Sequence, residues 1–390
     1  MHTIEAYMSD NDNDVNWIRI SDTEKGSKYI AHTSRKLIAF GISKSRFIKR
    51  GSLILTNSMS FGEPYILDID GCIHDGWVAF SDFKKIDKEF LYYFLTSPLA
   101  KIQFEQQVDG GVVKNLNIDK IGDTVILLPS LIDQNKIIAH LDSLTSETNS
   151  LLSKTITSIE EYKKLKQAVI TQAVTKGVRG EREMKDSGVE WIGEIPKEWD
   201  ILNLVAHTSM LTPMRDRPEN LDGPIPWIRI EDFDGKYISS SKASLGVSKE
   251  TVRSMNLKIY PVGTILCTSS CIMGKCAIVS RELVSNQRFI GIIPDQNTCE
   301  NFLYYLMLSN SERMNYLATG ALQANLSRSS FEHLKVQFPS YQEQKEISDY
   351  LDTKCAEIDK LIAKKEQLVK ELESYKKSLI YEVVTGKREV

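Results

Sequence analysis

The sequence predicts an α+β protein made of two copies of one module, each with a globular front and a long helical back. An internal repeat is the first observation, because an offset of 210 residues maps 17–20 (WIRI) onto 227–230 (WIRI). The second is a pair of long segments without internal proline, after Pro129 and after Pro339. Short β-type runs ahead of each segment are the third. Two similar surfaces in one chain suit a two-part target better than a single catalytic cleft.

Each front is predicted to contain short strands and one aromatic helix. The β-type runs lie at 19–20, 51–55 and 124–127 in the first module, and at 229–230, 263–266 and 276–279 in the second. An aromatic helical run at 88–95 returns at 302–307, so loop lengths vary while the repeat is kept. We therefore place the globular domains at 1–127 and 181–337, and the long helices at 128–180 and 338–390.

Both long helices carry the start signal of a serine-capped helix. Ser340 and Glu343 have the spacing of a capping box, in which the serine accepts from a first-turn N–H and the glutamate reaches back. Ser130 and Asp133 form an acidic version of the same signal. The ungapped match of the two helical segments gives fourteen identities in 49 positions, which indicates common ancestry rather than a shared period alone.

Apolar residues recur every seven positions along both helices, which is heptad spacing. Because the two segments match in length, the simplest partner for each helix is the other. The alternative is a pair of amphipathic helices lying on a globular core, and the charged outer faces at 163–164 and 376–377 count against it. The predicted seam has one seven-residue track and a companion track three residues on, with the residues Leu141, Leu151, Leu165, Leu351, Ile358, Leu361, Leu368 and Leu372.

Catalytic and metal-binding motifs are not found. The chain has no G-x-x-x-x-G-K-[ST] run, no G-x-G-x-x-G after a strand, no H-E-x-x-H and no proline-containing tetrapeptide of an amino-methyltransferase. Cys267, Cys271 and Cys276 are close enough for zinc, but the first module has no cysteine at the matching positions and no second ligand pair lies nearby. We predict buried thiols, no catalytic residue, no metal and no cofactor of the chain's own.

Composition predicts a cytoplasmic protein. Six irregularly spaced cysteines in 390 residues do not form a disulfide framework. No stretch approaches the roughly 20 apolar residues that a membrane helix needs, and the first residues lack the order of a secretory signal. The net charge of −3 neither requires nor excludes nucleic acid, so the distribution of charge has to decide.

Each module carries a positive stretch, which favours a nucleic-acid partner. Between Lys25 and Gly62 there are eight basic residues and no acidic one, and the matching span holds five basic residues against Glu250 alone. Such a surface displaces counterions from phosphates, and nearby Ser and Asn side chains reach bases or phosphates. The alternative is an ordinary solvated face. The candidate DNA-binding residues are Arg35, Lys36, Lys44, Arg46, Lys49, Arg50, Asn57, Arg253, Lys258, Ser269, Ser270 and Lys275.

In four features the chain resembles the specificity (S) subunits of type I restriction-modification systems. Residues 185–199 (KDSGVEWIGEIPKEW) resemble the opening of a target-recognition domain in that family. The Phe-Leu-Tyr-Tyr helices, the entries LPS…DQ at 128–134 and FPSYQEQ at 338–344, and the helix endings AVTKG and VVTGK also match. The resemblance covers nearly the whole chain.

This resemblance implies two target-recognition domains held apart by an antiparallel pair of coiled-coil helices, with pseudo-twofold symmetry. Each domain would read one half of a split double-stranded DNA site. It also implies a subunit without activity of its own, whose partners are two modification (methyltransferase) subunits and two restriction (motor-nuclease) subunits. S-adenosylmethionine, ATP and Mg would belong to those partners.

One departure from the family concerns the first module. At the offset of 210, the 27 residues from Met184 to Met210 have no counterpart ahead of Met1, and family members usually begin with that segment. We therefore expect the first domain to be the less stable one. Two rival functions remain open from the sequence: a coiled-coil scaffold that binds only protein, and an enzyme fused to its own recognition domains.

Overall fold

In the computed structural model of the chain, the described residues are 4–24, 26–58, 61–107, 116–213, 216–270, 274–318 and 326–390. The chain divides into two compact units. The first comprises Met1–Ser158 and Lys365–Val390, and the second comprises Ile159–Lys364. Each unit therefore holds one globular front together with a part of each long helix.

The short strands in the front of the first unit form two separate sheets. The five-stranded sheet has the order β1-β4-β2-β8-β5, and the four-stranded sheet has the order β3-β7-β6-β9. Its elements are β1 Met8–Ser9, β2 Val15–Ile18, β3 Tyr29–Ile30, β4 Lys36–Leu37, α1 Ala39–Ile42, β5 Arg46–Ile48, β6 Leu53–Thr56, β7 Pro64–Leu67, β8 Gly71–Ile73, β9 Trp77–Ala79, α2 Lys88–Thr96, α3 Pro98–Gln107, α4 Ile118–Gly122 and the first part of α5 Leu131–Lys176.

The largest core of the first unit joins its front to both long helices. Phe94 of α2 and Phe104 of α3 pack in one buried cluster with Leu141 of α5 and with Leu379 near the end of the second long helix. Residues early in one helix thus pack beside residues late in the other, which is an antiparallel arrangement. The aromatic helix predicted at 88–95 is confirmed as α2, whose Asp87 side chain caps it by accepting from the Glu89 N–H.

The second unit repeats this frame with an added opening. It has a five-stranded sheet β13-β20-β17-β18-β15, a three-stranded sheet β16-β14-β19, and the pairs β10–β11 and β12–β21. Its elements are β10 Met184–Asp186, β11 Glu194–Pro196, β12 Asp200–Asn203, β13 Thr208–Leu211, β14 Ile225–Ile228, β15 Tyr237–Ile238, β16 Gly246–Val247, α6 Lys249–Ser254, β17 Ile265–Thr268, β18 Cys276–Val279, β19 Val284–Ser285, β20 Phe289–Pro294, α7 Glu300–Ser309, α8 Ser311–Leu317, α9 Arg328–Glu332, β21 Lys335–Phe338 and the first part of α10 Tyr341–Val384, with the end of α5.

The opening segment at 184–210 contributes buried residues to the largest core of the second unit. Trp199 and Phe302 are buried in one cluster with Val174 of α5 and Leu351 of α10. Here the end of α5 lies beside the start of α10, so the two helices are again antiparallel. The aromatic helix predicted at 302–307 is confirmed as α7. None of the helices among the described residues is both long and apolar enough to cross a membrane.

The heptad prediction is confirmed for one track and wrong for the other. Leu141, Leu351 and Ile358 are buried and Leu372 is half-buried, as predicted. On the companion track, Leu151, Leu165, Leu361 and Leu368 are between 37% and 48% exposed. The burial pattern of α10 shows that the companion residues lie four positions on, at 355, 362, 369, 376 and 383. A heptad alternates steps of three and four, so the leucines at 361 and 368 indicated the wrong step.

Threonine side chains line the buried face of the first half of α5. Thr145, Thr148 and Thr155 are buried, and each hydroxyl donates to the carbonyl four residues earlier at 2.6 or 2.7 Å. Because those hydroxyls are satisfied within their own helix, they lie in an apolar seam without orphaned polar groups. Thr148 and Thr155 occupy the same seven-residue track as Leu141, and their burial shows that this track continues through them.

Three predicted strands differ from the structure. The runs at 19–20 and 229–230 lie just after β2 and β14, and their isoleucines begin the 3-10 turns Ile20–Asp22 and Ile230–Asp232. The predicted run at 124–127 is irregular, whereas its counterpart in the second unit is β21, paired with β12. A β-type run becomes a strand only where a neighbouring backbone supplies its hydrogen bonds, and no described residue of the first unit takes the place of β12.

Candidate nucleic-acid interface

Two neighbouring parallel strands position the candidate site in each unit. In the first unit, Trp17 of β2 pairs with Cys72 of β8. In the second, Trp227 of β14 pairs with Val284 of β19. The next residues after these strands therefore lie side by side at one sheet edge. This register makes 74–76 (His-Asp-Gly) the structural counterpart of 286–288 (Asn-Gln-Arg).

An arginine from the repeated WIRI tetrapeptide lies at this edge in both units. Arg19 and Arg229 directly follow β2 and β14, and the backbone N–H of each donates to an aspartate three residues on, at 2.9 and 2.7 Å. Burial would raise the pKa of the Asp22 carboxyl, but its hydrogen bonds from Ser34 and Arg19 outweigh burial and hold that pKa below its ordinary value. Each arginine backbone is thus fixed before any ligand is bound.

In each unit, the turn after one strand of the second sheet lies beside the same edge. This strand is β6 in the first unit and β17 in the second. The Asn57 N–H donates to the Gly76 carbonyl at 3.0 Å, and the Ser269 N–H donates to the Arg288 carbonyl at 2.8 Å. Asn57 also donates through its side chain to the Asp75 carbonyl at 2.9 Å. The structure therefore brings the predicted residues Asn57 and Ser269 to equivalent positions beside the arginine edge.

The predicted basic residues of the first unit lie near this edge to different degrees. The Arg35 carbonyl accepts from Trp17 N–H at 3.0 Å, which places Arg35 directly beside β2. Lys36 is half-buried and donates to Asn16 at 2.7 Å. Arg50 is paired with Asp68 at 2.6 Å, which reduces its free charge. Lys44, Arg46 and Lys49 are exposed, and Lys25 lies outside the described residues.

The residues predicted to bind DNA in the second unit differ in their exposure to solvent. Arg253 is exposed on α6, and Lys258 is half-buried with Asn256 as a hydrogen-bond partner at 3.3 Å. Lys275 is exposed at the hairpin between β17 and β18, next to the turn that carries Ser269. Ser270 is 7% exposed, so its position in the core makes it a poor candidate for contact with DNA.

Two lysines of the positive stretches are structural. Lys28 binds Asp142 of α5 at 2.6 Å and lies 4.9 Å from the centre of the Tyr93 ring. Its equivalent Lys236 binds Asp352 of α10 and lies 5.0 Å from the Tyr305 ring. Burial lowers the pKa of Lys28, but its hydrogen bonds to Asp142 and Glu89 raise that pKa above its ordinary value. These lysines hold each front to its helix and are not free to bind phosphate.

A buried glutamine makes a second repeated contact between front and helix. The Gln344 amide donates to the carbonyls of Pro339 and Asn297 at 3.0 and 3.2 Å, and its oxygen accepts from Cys299 N–H at 2.8 Å. Gln134 makes the same three kinds of contact in the first unit, with Pro129, Lys85 and Asp87. The Asp-Gln and Glu-Gln entries of the two helices are therefore structural signatures.

Replacing Gln344 with alanine is expected to lower the free energy of unfolding of the second unit by about 1–3 kcal/mol, because buried backbone groups lose their hydrogen-bond partner. Amide hydrogen exchange at Cys299 in urea would measure the loss. The matched control is Gln342→Ala, two residues earlier and exposed, which should change little. Equal effects of the two substitutions would contradict the role assigned to Gln344.

The cysteines agree with the prediction of buried thiols. Cys267 and Cys276 are buried on paired strands, with their sulfurs 2.8 Å apart, and Cys271 lies outside the described residues. Burial raises the pKa of the Cys267 thiol well above its ordinary value, and the neighbouring Cys276 raises it further. Within the described part of the chain, no group of three His, Cys, Asp or Glu side chains is placed to hold a metal ion.

Arg19 and Arg229 are functional candidates that the charge pattern does not predict, because neither lies in a basic stretch. Each is, however, the one charged residue in an otherwise apolar tetrapeptide found twice, and this repetition is a signal for them in the sequence. The loop at 286–288 carries no comparable signal, because only the strand register shows that it lies beside Arg229.

The chain is similar to known proteins along most of its length. Residues 3–161 and 200–371 match the model of a family described as type I restriction modification DNA specificity domain. The MjaIX specificity subunit of a type I restriction enzyme from Methanocaldococcus jannaschii is 34% identical over 181 residues, 44% of this chain and 41% of that subunit. The alignment thus spans less than half of that relative. The MjaVIII specificity subunit of the same organism is 24% identical over 390 residues, 92% of this chain and 86% of that subunit.

A solved structure has the same fold. A chain from a study of complex assembly and conformational transition of the type I R-M system has a TM-score of 0.75 at 15% identity, and the match covers 95% of this chain and 91% of that chain. At this identity the likeness shows the fold alone. The family match favours DNA recognition over a coiled-coil scaffold that binds only protein. Together with the duplicated frame, it shows that the chain belongs to the family of type I restriction-modification DNA specificity subunits.

Proposed function

We propose that the chain reads a bipartite double-stranded DNA site, with one half-site for each unit, and that partner subunits carry out the chemistry. A methyltransferase subunit pair would bind S-adenosylmethionine and modify adenine, and a motor-nuclease pair would use ATP and Mg. The chain itself would be non-catalytic. This assignment rests on the family membership and on the repeated frame of the candidate interface.

The two units have the same backbone arrangement at the candidate interface but carry different side chains on it, and this observation supports the proposal most strongly. In both units, an arginine, a turn after the central strand and a loop after the parallel strand meet at one sheet edge. The arginine is kept, whereas His74 is replaced by Asn286, and Asn57 by Ser269. Because different donors and acceptors select different base pairs, two half-sites of different sequence follow.

Mapping adenine methylation in the genome, with and without the gene for this chain, tests the proposal. We expect one bipartite methylated motif to disappear on deletion and to return on complementation. Unchanged methylation in a strain that expresses the modification subunit would contradict the proposed function. Substitution of the loop at 286–288 should change the sequence of one half of the methylated motif and leave the other half as it was. The half that changes is the one that the second unit reads.

Exposed apolar residues on the long helices support a protein partner. Leu151, Leu368 and Tyr375 in the first unit are 46%, 37% and 47% exposed, and Leu165 and Leu361 in the second are 48% and 42% exposed. Several recur at seven-residue spacing on the outer face of their helix. Exposed apolar stripes of this kind are typical of helix surfaces that bind another protein.

Replacing Leu361 with glutamate is expected to weaken co-purification of the modification subunit at least about tenfold, because a charge enters an apolar contact. Quantitative pull-down with the tagged full chain would measure this loss. Ala363→Glu puts the same charge on a different face of α10, at another exposed position, and should retain binding. Equal retention in both variants would exclude the stripe as the contact.

A further inference from the structure

A cavity in the second unit concentrates positive charge at the arginine edge. It has a volume of about 270 Å³, and its lining includes Arg217, Arg229 and Arg288 together with Asn286, Gln287 and Trp227. No carboxylate belongs to the lining, all of which is described. Three guanidinium groups around one small cavity repel one another unless an anion lies between them, so the lining chemistry points to an anionic ligand.

Among the described residues, no close ion pair neutralises the arginines of this cavity. The Arg229 guanidinium forms one long ion pair with Glu231, 3.8 Å away and itself 68% exposed. The Arg229 Nε is buried, and no described residue accepts a hydrogen bond from it. Arg217 and Arg288 are exposed to solvent. A buried donor without a partner is costly, so an acceptor bound beside the Arg229 Nε would remove that cost.

The loop that carries Arg288 is held in place on both sides. The Arg288 N–H donates to the Asn286 side-chain oxygen at 3.0 Å, and the Arg288 carbonyl accepts from Ser269 N–H at 2.8 Å. Asn286 N–H donates to the Ile228 carbonyl at the end of β14 at 3.4 Å. Since this backbone is fixed before a ligand arrives, little order has to be gained on binding.

The first unit lacks this concentration of charge. Strand register places Gly76 where the second unit has Arg288, and Asp75 where it has Gln287. Arg35 replaces Leu245, because both carbonyls accept from the equivalent tryptophan N–H. The Nε of Arg19 is buried and no described residue accepts a hydrogen bond from it, as for Arg229, but a terminal nitrogen of Arg19 binds Asp22 and Ser34, at 3.4 and 2.5 Å. In place of the Arg288 guanidinium, the first unit therefore has a glycine beside an exposed carboxylate, although Arg35 adds one cation at the position of Leu245.

We propose that the cavity of the second unit binds one backbone phosphate of DNA, and that the first unit makes no equivalent contact. Phosphate is favoured over a base edge because the lining offers several donors around one point and no carboxylate. The inference rests on the proposed DNA-reading function. It adds that the two units contribute unequally, because the half-site bound by the second unit accounts for more of the salt dependence of DNA binding than the half-site bound by the first.

The test uses the full chain in complex with its modification subunit and a duplex that carries the mapped methylation motif. Arg288→Gln is expected to weaken binding by about tenfold or more. The slope of log K against log salt should fall by about one, and the loss should be similar for every base substituted at a given position. Arg288→Lys should retain most of the binding, and Lys197→Gln is the matched control, because Lys197 is exposed and paired with Glu183 at 2.8 Å.

Single methylphosphonate linkages identify the phosphate. A neutral linkage at the contacted position should weaken binding by the parent chain about as much as Arg288→Gln does, and should cause no further loss in that variant. Base-specific loss with an unchanged salt slope, or unchanged binding by Arg288→Gln, would overturn the inference and leave the proposed function standing. A parent complex that binds the motif duplex no better than unrelated DNA would overturn both.

Discussion

Replacing Glu343 with alanine is expected to lower the free energy of unfolding of the second unit by about 2–3 kcal/mol, because two groups lose their buried acceptor. These groups are the Trp199 indole and the Arg182 guanidinium, which keeps only the more exposed Glu198 carboxylate, at 2.9 Å, and the Lys176 carbonyl. Glu343 is 2% exposed. Its carboxylate binds Arg182 at 2.7 Å and accepts from the Trp199 indole N–H at 3.0 Å. Arg182 also lies over the Trp199 ring, 5.1 Å from its centre. One carboxylate therefore holds the opening segment on the start of α10.

Urea denaturation of the full chain, followed by amide exchange in β10 to β12, would measure this effect. The matched control is Glu346→Ala, one turn further along α10. Glu346 binds Arg179 at 2.8 Å, but both side chains of that pair are more than a third exposed, so a loss below about 1 kcal/mol is expected. Comparable losses for both variants would show that burial of Glu343 does not determine its contribution.

This contact explains one limit of the sequence analysis. The spacing of Ser340 and Glu343 predicts a capping box, and half of it is present, since the Ser340 hydroxyl accepts from Glu343 N–H at 3.4 Å. The carboxylate, however, binds Arg182 and Trp199 instead of reaching back. Local spacing predicts that a helix starts here. It does not reveal a partner 144 positions away, which competes for the same oxygen atoms.

The prediction of the interface was limited in the same way. In the sequence, Lys28 and Lys236 look like the other cations of their stretches. In the structure, both form ion pairs with aspartates of the long helices, 114 and 116 residues further along the chain. Conversely, Arg288 stood in no basic run and became a candidate only through the β14–β19 register. The repeat, the helices and the positive fronts follow from pattern, whereas the pairing of individual charges requires the tertiary fold.

The unpaired segment at 124–130 is the main structural difference between the two units. In the second unit, the equivalent β21 pairs with β12 over four residues and lies in the core beside Trp199. In the first unit, Val125 is 72% exposed, and the Gln103 side chain is the only described group that hydrogen-bonds its N–H and carbonyl, at 2.8 and 3.0 Å. Leu127, Leu128, Leu131 and Ile132 are also exposed. An edge of this kind lacks both a ladder of hydrogen bonds and apolar cover.

We therefore expect the first unit to open at a lower urea concentration than the second, as measured by amide exchange in α2 and α7. A copy of residues 184–210 fused ahead of Met1 should stabilise the first unit by about 2–3 kcal/mol, the value of burying one large apolar side chain. The control fusion carries alanine at the position equivalent to Trp199 and a scrambled β12 sequence. If the control stabilises the first unit equally, the gain comes from added chain length and not from pairing. If both units of the unfused chain open together, the exposed edge carries no cost, and the first unit must be stabilised by the lysine and glutamine contacts that it shares with the second.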